Sequence, residues 1–209
     1  MIDFYTWTTP NGRKIAILLE ELGLEYRVHP INIGKDEQFA PDFLEISPNN
    51  KIPAIVDQDG PDGPISVFES AAIAIYLCEK TASELLPTDT RRRVATLEWS
   101  MFQMASLGPM FGQLGHFTRF AKEQVPYAIE RYRDEVRRIL GVMDARLSSY
   151  DYLAGDYSIA DILCYPWIQT MVDAMEAKNP GIMDGVGHVE AWRERIAERA
   201  AVRAGMQIP

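Results

Sequence analysis

The run Asn49-Asn50-Lys51-Ile52-Pro53-Ala54-Ile55-Val56, followed a short hairpin later by Phe68-Glu69-Ser70, decides how this chain is read. Polar residues lead into an Ile-Pro step, then an apolar strand, a turn, a second strand and an acidic-Ser pair that opens a helix. Proline removes a backbone donor at the edge of a sheet, and X-Pro is the one peptide bond that is cis with any frequency. A cis Ile52-Pro53 bond would turn the Ile52 N–H and C=O out of the ladder, free to pair with an extended peptide ligand. Glu69 and Ser70 would then stand beside that strand with a carboxylate, a hydroxyl and backbone N–H groups.

Working outward, Ile2 to Trp7 predicts a first strand that ends at Thr8-Thr9-Pro10-Asn11-Gly12. Thr9 is a good N-cap, and Pro10 suits the first helical position, where its missing N–H costs nothing. Ile15, Leu18, Leu19 and Leu22 then fall on one face of a helix that Gly23 ends. Tyr26 to Ile31 reads as a second strand, and the polar stretch 34–48 as irregular with one short helix around Pro41 to Glu45. Ala54 to Asp57 and Ile65 to Phe68 pair across a Gly/Pro/Asp-rich turn, and Ser70 to Glu79 is helical. Residues 1–81 thus carry a βαβαββα order with a mixed sheet.

Residues 82–89, with Pro87, read as a linker, and from Thr90 the strand signals disappear. Residues 90–209 are expected to form an all-helical domain, with helices at 90–115, 124–149, 158–174 and 188–200. Gly108 and Pro109 are expected to break or kink the first of these. Ser158-Ile159-Ala160-Asp161 is a variant of the capping box, a structural device that sets the start of the third. The fold class is therefore α/β followed by all-α.

The composition excludes several functions. The chain has 209 residues, 24% of them charged, and a net charge of −9, so no basic surplus exists to displace counterions from nucleic acid or an anionic membrane. Arg91-Arg92-Arg93 is flanked by Glu84, Asp89 and Glu98 and reads as a solvated helix start. No apolar run reaches 18 residues, and Met1 to Tyr5 lacks the basic segment of a secretory leader. The only cysteines, Cys78 and Cys164, sit inside apolar helical patterns, which suits a reducing cytoplasm. His29, His116 and His188 have no metal-ligand spacing, and no metal is expected.

On S-P-N-N-K-I-P-A-I-V, F-E-S and Thr9-Pro10-Asn11, the chain resembles the cytosolic glutathione transferases along nearly its whole length. The nu-class branch, related to the Ure2-like proteins, is the nearest. The resemblance implies a thioredoxin-like N-terminal domain, a glutathione-transferase-type helical C-terminal domain, a homodimer, and glutathione as co-substrate. In this family a Tyr, Ser or Cys meets the sulfur. Here no cysteine lies near the loop and Tyr5 is early in its strand, which leaves Thr8, Thr9 and Asn11; the nu-class pattern selects Thr9 and Asn11. By the same resemblance, Lys51 would pair with the glycyl carboxylate, the Ile52 backbone with the cysteinyl unit under the geometry set by Pro53, Glu69 with the γ-glutamyl amine, and Ser70 with its carboxylate. Gln38 and Arg131 match positions that reach the ligand. A second substrate would lie against Met104, Leu107, Pro109, Met110, Phe111 and Gln113.

The chemistry follows from the thiol. Its unperturbed pKa is near that of cysteine, about 8.5, so little thiolate exists at neutral pH, and thiolate is the reactive form. The N-terminus of a helix beginning at Thr9-Pro10-Asn11 would favour the anion. Disulfide reduction by bound glutathione is the expected activity. Conjugation to an apolar electrophile is one alternative, and a non-catalytic glutathione-binding module is the other.

Overall fold

The computed structural model describes residues 1–209, which divide into two compact units: residues 1–86 with 199–209, and residues 87–198.

In the first unit a four-stranded sheet has the order β2-β1-β3-β4. β1 (Ile2–Thr6) pairs in parallel with β2 (Tyr26–Pro30), while β3 (Ala54–Asp57) runs antiparallel to β1 and to β4 (Ile65–Phe68). Two helices cover the sheet and pack on each other: α1 (Pro10–Leu22), the crossover between the parallel strands, and α3 (Ser70–Thr81). A shorter helix, α2 (Pro41–Ile46), follows two single 3-10 turns at Ile33–Lys35 and Glu37–Phe39, which the sequence reading left irregular. Phe43 of α2 packs with Ile52 and Ala54, and Tyr5 and Trp7 lean on that cluster. Gly23 ends α1 in the left-handed region (φ 61°), donating its N–H to Glu20, while the Leu24 N–H returns to Leu19.

The stripe expected on α1 understates its burial. Ile15 to Leu19 are all fully buried, because a second helix covers the face that the sequence pattern left open. That helix is α9 (Ala200–Gly205), at the far end of the chain. A Cβ on Gly205 would come within 2.5 Å of the Ile17 backbone, so only glycine permits this approach. Arg199 donates two hydrogen bonds to the Glu21 carboxylate, at 2.6 and 2.9 Å. The segment 199–209, assigned from sequence to the helical domain, packs instead within the first unit.

The second unit contains α4 (Thr90–Phe102), α5 (Gly108–Gly115), α6 (Pro126–Leu147), α7 (Ile159–Thr170) and α8 (Gly187–Ala197). Gly108 and Pro109 do not break the chain's helical course. The turn before them, Gln103–Leu107, widens to π geometry, and a second π turn at His116–Phe120 prolongs the helix past Gly115. A wider turn absorbs both the missing proline N–H and the clash of its ring with the preceding turn. The capping box at Ser158 forms: its hydroxyl accepts from the Ala160 N–H at 3.3 Å, and Asp161 accepts from the Ser158 N–H at 3.1 Å. Asp161 also takes the Trp192 indole N–H at 2.9 Å and the Leu153 N–H at 3.0 Å, fastening α7 to α8 and the preceding loop. Burial pushes its carboxyl up to about 6, against the pull of these donors. No helix is long and apolar enough to cross a membrane.

Candidate functional site

The strand registers bring the chemically loaded segments to one end of the sheet. Tyr5 near the end of β1 faces Ala54 at the start of β3, and Ala54 faces Phe68 at the end of β4. The chain therefore leaves β1 toward Thr9-Pro10-Asn11, enters β3 from Ile52-Pro53, and leaves β4 toward Glu69-Ser70, all at the same edge. Both α1 and α3 begin there, so two positive helix ends converge on one place. Such a pair favours an anion.

Thr9 adopts extended backbone (φ −141°, ψ 158°), and its Oγ1 accepts the Gly12 N–H at 3.2 Å. The cap role read from sequence is therefore real, and it leaves the hydroxyl proton to be donated elsewhere. Gly12 is required by closeness: a Cβ there would run into the Thr6 hydroxyl and the Trp7 carbonyl. Asn11 follows in the first turn, half-buried, and Thr8 is exposed. Tyr5 points into the cluster beside α2, its ring stacked on His29 with centroids 4.6 Å apart. That is a packing role.

The Ile52-Pro53 bond is cis. Ile52 and Pro53 are buried and precede β3, whose pairing with β1 begins at Ala54, so the Ile52 backbone is not committed to that ladder. The approach to it is clipped: the Ser47 hydroxyl donates to the Lys51 carbonyl at 2.8 Å. Lys51 itself is exposed. Gln38 lies in the turn Glu37–Phe39, and its Oε1 is buried without a donor from the protein. An orphaned buried acceptor in a native structure calls for a partner from outside.

Glu69 and Ser70 carry two further signals. Glu69 sits at φ 70°, ψ 116°, a region a residue with a Cβ occupies only at a cost of about 1–3 kcal/mol. It is exposed, and its carboxylate is approached by the Asn49 side-chain amide at 3.5 Å. No side chain caps the N-terminus of α3. Its first-turn N–H groups thus face the site in the manner of an anion cradle. Ser70, the first residue of that helix, is only 4% exposed, and its Oγ accepts from the Lys14 ammonium at 3.3 Å. Lys14, on α1, is 1% exposed. Sequence reading passed over it. The signal was its place between Gly12 and Ile15 in a segment otherwise turned to the core.

Of the expected site residues, Thr9, Asn11, Gln38, Lys51, Ile52, Pro53, Glu69 and Ser70 lie in the first unit. Arg131 lies in the second, exposed on α6, where it helps to hold the Glu135 carboxyl below its ordinary value, behind the larger effect of Arg138. Leu107 and Phe111, expected to face a second substrate, are fully buried in the core of the helical unit. Met104 and Met110 are half-buried, and Pro109 and Gln113 exposed. Both cysteines are buried, and burial pushes the Cys78 thiol up to about 12. No group of three or more His, Cys, Asp or Glu side chains is arranged to hold a metal ion.

Comparison with known proteins gives a consistent result. Residues 8–80 match the family model for the glutathione S-transferase N-terminal domain, and residues 106–200 that for the C-terminal domain. The chain is 48% identical over 206 residues to the disulfide-bond oxidoreductase YfcG of Escherichia coli, covering 96% of this chain and 92% of that protein. A glutathione transferase from Pseudomonas putida, solved with one glutathione disulfide bound per subunit, superposes with a TM-score of 0.95 at 42% identity, over 100% of this chain and 91% of that one. A family member from Pseudomonas fluorescens, solved with two glutathiones bound, superposes equally well at 0.95 and 42% identity, covering 100% and 93%.

Proposed function

The chain belongs to the glutathione S-transferase family, and from that premise we propose that it is a glutathione-dependent disulfide-bond oxidoreductase. The observation that carries the reading is the sheet end itself. Two helix N-termini, the unladdered Ile52 backbone and the Thr9 hydroxyl meet there, while the chain's only thiols, Cys78 and Cys164, are buried in helix cores. The reacting sulfur must then come with the ligand. The names of the relatives, one an oxidoreductase and two structures with glutathione or its disulfide, support the same assignment.

In this reading Thr9 and Asn11 meet the glutathione sulfur, and the end of α1 stabilises its anion. Lys51 takes the glycyl carboxylate, Ile52 pairs with the cysteinyl unit, and Gln38 contributes its side-chain amide. Glu69 takes the γ-glutamyl amine, while Ser70 with the start of α3 takes the neighbouring carboxylate. Arg131 supplies a further cation. The bound thiolate attacks one sulfur of a disulfide, and the other sulfur leaves as thiolate and takes up a proton. A second glutathione thiolate then attacks the glutathione sulfur of the mixed disulfide, giving glutathione disulfide and releasing the second substrate thiol. A homodimer in a reducing cytoplasm is the setting that the family and the two free thiols support.

The test is turnover of hydroxyethyl disulfide by glutathione. The wild-type protein should reduce it, and a Thr9→Ala/Asn11→Ala variant should lose about tenfold or more in kcat/KM, the scale of one lost charge-assisted hydrogen bond. Tight glutathione binding without turnover would leave a binding module instead. Faster conjugation of a chlorinated aromatic than disulfide reduction would leave a conjugating transferase.

A further inference from the structure

Asn11-Gly12 is the only Asn-Gly step in the chain, and chemically it is the least durable one. The side-chain amide carbon of an asparagine is open to attack by the backbone nitrogen of the next residue. A side chain on that next residue crowds the attack, and glycine has none. The fold nevertheless demands glycine here, because a Cβ at position 12 would run into the Thr6 hydroxyl and come within 2.5 Å of the Trp7 carbonyl oxygen. Exchanging Gly12 is therefore closed as a remedy. The remaining control is at the attacking atom, and the Gly12 N–H is the one that Thr9 Oγ1 accepts, at 3.2 Å. Attack needs that nitrogen to give up its proton and turn toward the Asn11 side chain, so it needs the cap to open.

We propose that Asn11-Gly12 is a self-modification site and that the Thr9 cap holds it closed. Once the cap opens and the Gly12 nitrogen loses its proton to a base, that nitrogen bonds to Asn11 Cγ. The Cγ–Nδ2 bond breaks, and Nδ2 leaves as ammonia with a proton taken from water. Water then opens the resulting succinimide ring at one of its two C–N bonds. Position 11 becomes an aspartate, or an isoaspartate through whose side chain the main chain now runs. The sum is one water consumed and one ammonia released, with no oxidant or reductant. Because α1 begins at Pro10, either product sets a new carboxylate in its first turn. On the glutathione reading above, on which this consequence alone rests, that charge faces the thiolate and raises the pKa of the bound thiol. Thr9 thus guards the lifetime of the site, apart from any contact with the sulfur.

The experiment holds the full-length protein without glutathione in mildly alkaline buffer. Mass spectrometry follows the conversion of amide to acid in the tryptic peptide ending at Arg13, whose only side-chain amide is that of Asn11. Denatured wild-type protein gives the rate of the open step, and native wild-type protein should be slower by about tenfold or more. Thr9→Ser keeps the accepting oxygen and should match the native wild type. Thr9→Ala should speed conversion by about fivefold, the factor that loss of such a cap represents. Tyr76→Phe, which removes a hydrogen bond to Asp57 at the other end of β3, should stay within about twofold of wild type, since the opening is local. Equal rates in native and denatured wild-type protein overturn the proposal. So does Thr9→Ala at the wild-type rate, or Tyr76→Phe as fast as Thr9→Ala. Should Thr9→Ala not fold, hydrogen exchange of the wild-type Gly12 amide decides. Exchange and conversion need the same opening and the same loss of a proton, so this amide should be protected, and an unprotected amide overturns the proposal. Failure of the unconverted protein to bind glutathione would instead reject the underlying function and leave the modification chemistry standing.

Discussion

At Thr9 one side chain is asked to do two things that mutation can separate. Its oxygen accepts the Gly12 N–H and so caps α1, while in the proposed reading its proton meets the sulfur. An alanine would remove both, costing about 1 kcal/mol of stability through the cap alone, so loss of activity in that variant is ambiguous. Aspartate is as good a cap as threonine, but it sets a negative charge where the thiolate must form. Thr9→Asp should therefore keep the melting temperature while raising the pKa of bound glutathione, read from thiolate absorbance. Turnover should fall about tenfold for each unit of that rise below the pKa. If the variant kept both the thiol acidity and the rate, Thr9 would be a cap and nothing more. The Thr9-Pro10-Asn11 step was legible in the sequence because capping is local. Glu69 was legible as a residue but not in its backbone, since a positive φ on a glutamate comes from the surroundings that hold it.

At the scale of elements, what could be read depended on whether the cause lay nearby in the chain. The strands, the Gly23 stop and the capping box at Ser158 follow from residues within one or two turns, and each is found. The π turns at Gln103–Leu107 and His116–Phe120 were not legible, because they arise where the helix is forced to accommodate packing and a proline. Another junction joins α3 to the sheet. Asp57, at the end of β3, is fully buried and accepts from Lys80 at 2.7 Å, from the Tyr76 hydroxyl at 2.6 Å and from the Asp59 N–H at 3.0 Å. Burial alone would push its carboxyl up, but these donors outweigh it and hold the group below its ordinary value. A carboxyl with a depressed folded-state pKa adds stability that is complete above the unfolded value, about 4, and is lost as pH falls through the folded value. Tyr76→Phe should thus cost about 1 kcal/mol at pH 7. Its penalty should shrink on acidification, since the carboxyl it serves becomes protonated in both states. Chemical denaturation at pH 7 and at the most acidic pH where the protein stays folded checks this; a penalty independent of pH would mean the hydroxyl contributes through packing.

Across the whole molecule, the feature hidden from the sequence is the return of the C-terminal segment. Gly205 and Arg199 carry no mark in the chain that they belong against Ile17 and Glu21, nearly the full length away. Their contact explains why α1 is buried on two sides rather than one. Burial within each unit also keeps both cysteines away from an incoming disulfide. Cys78 is 1% exposed with its thiol pushed up to about 12, and Cys164 is wholly buried. Thiolate, accessible to a disulfide, is the nucleophile in exchange, and burial denies that access to both cysteines. A Cys78→Ala/Cys164→Ala protein should therefore lose about 1–2 kcal/mol of stability from the shortened core side chains, yet turn over disulfides with glutathione at the wild-type rate. Iodoacetamide applied to the native wild-type protein without glutathione should likewise leave its activity intact. Loss of turnover in the folded cysteine-free protein would mean that the chain, rather than the ligand, supplies a sulfur, and the division of labour argued for the sheet end would have to be abandoned.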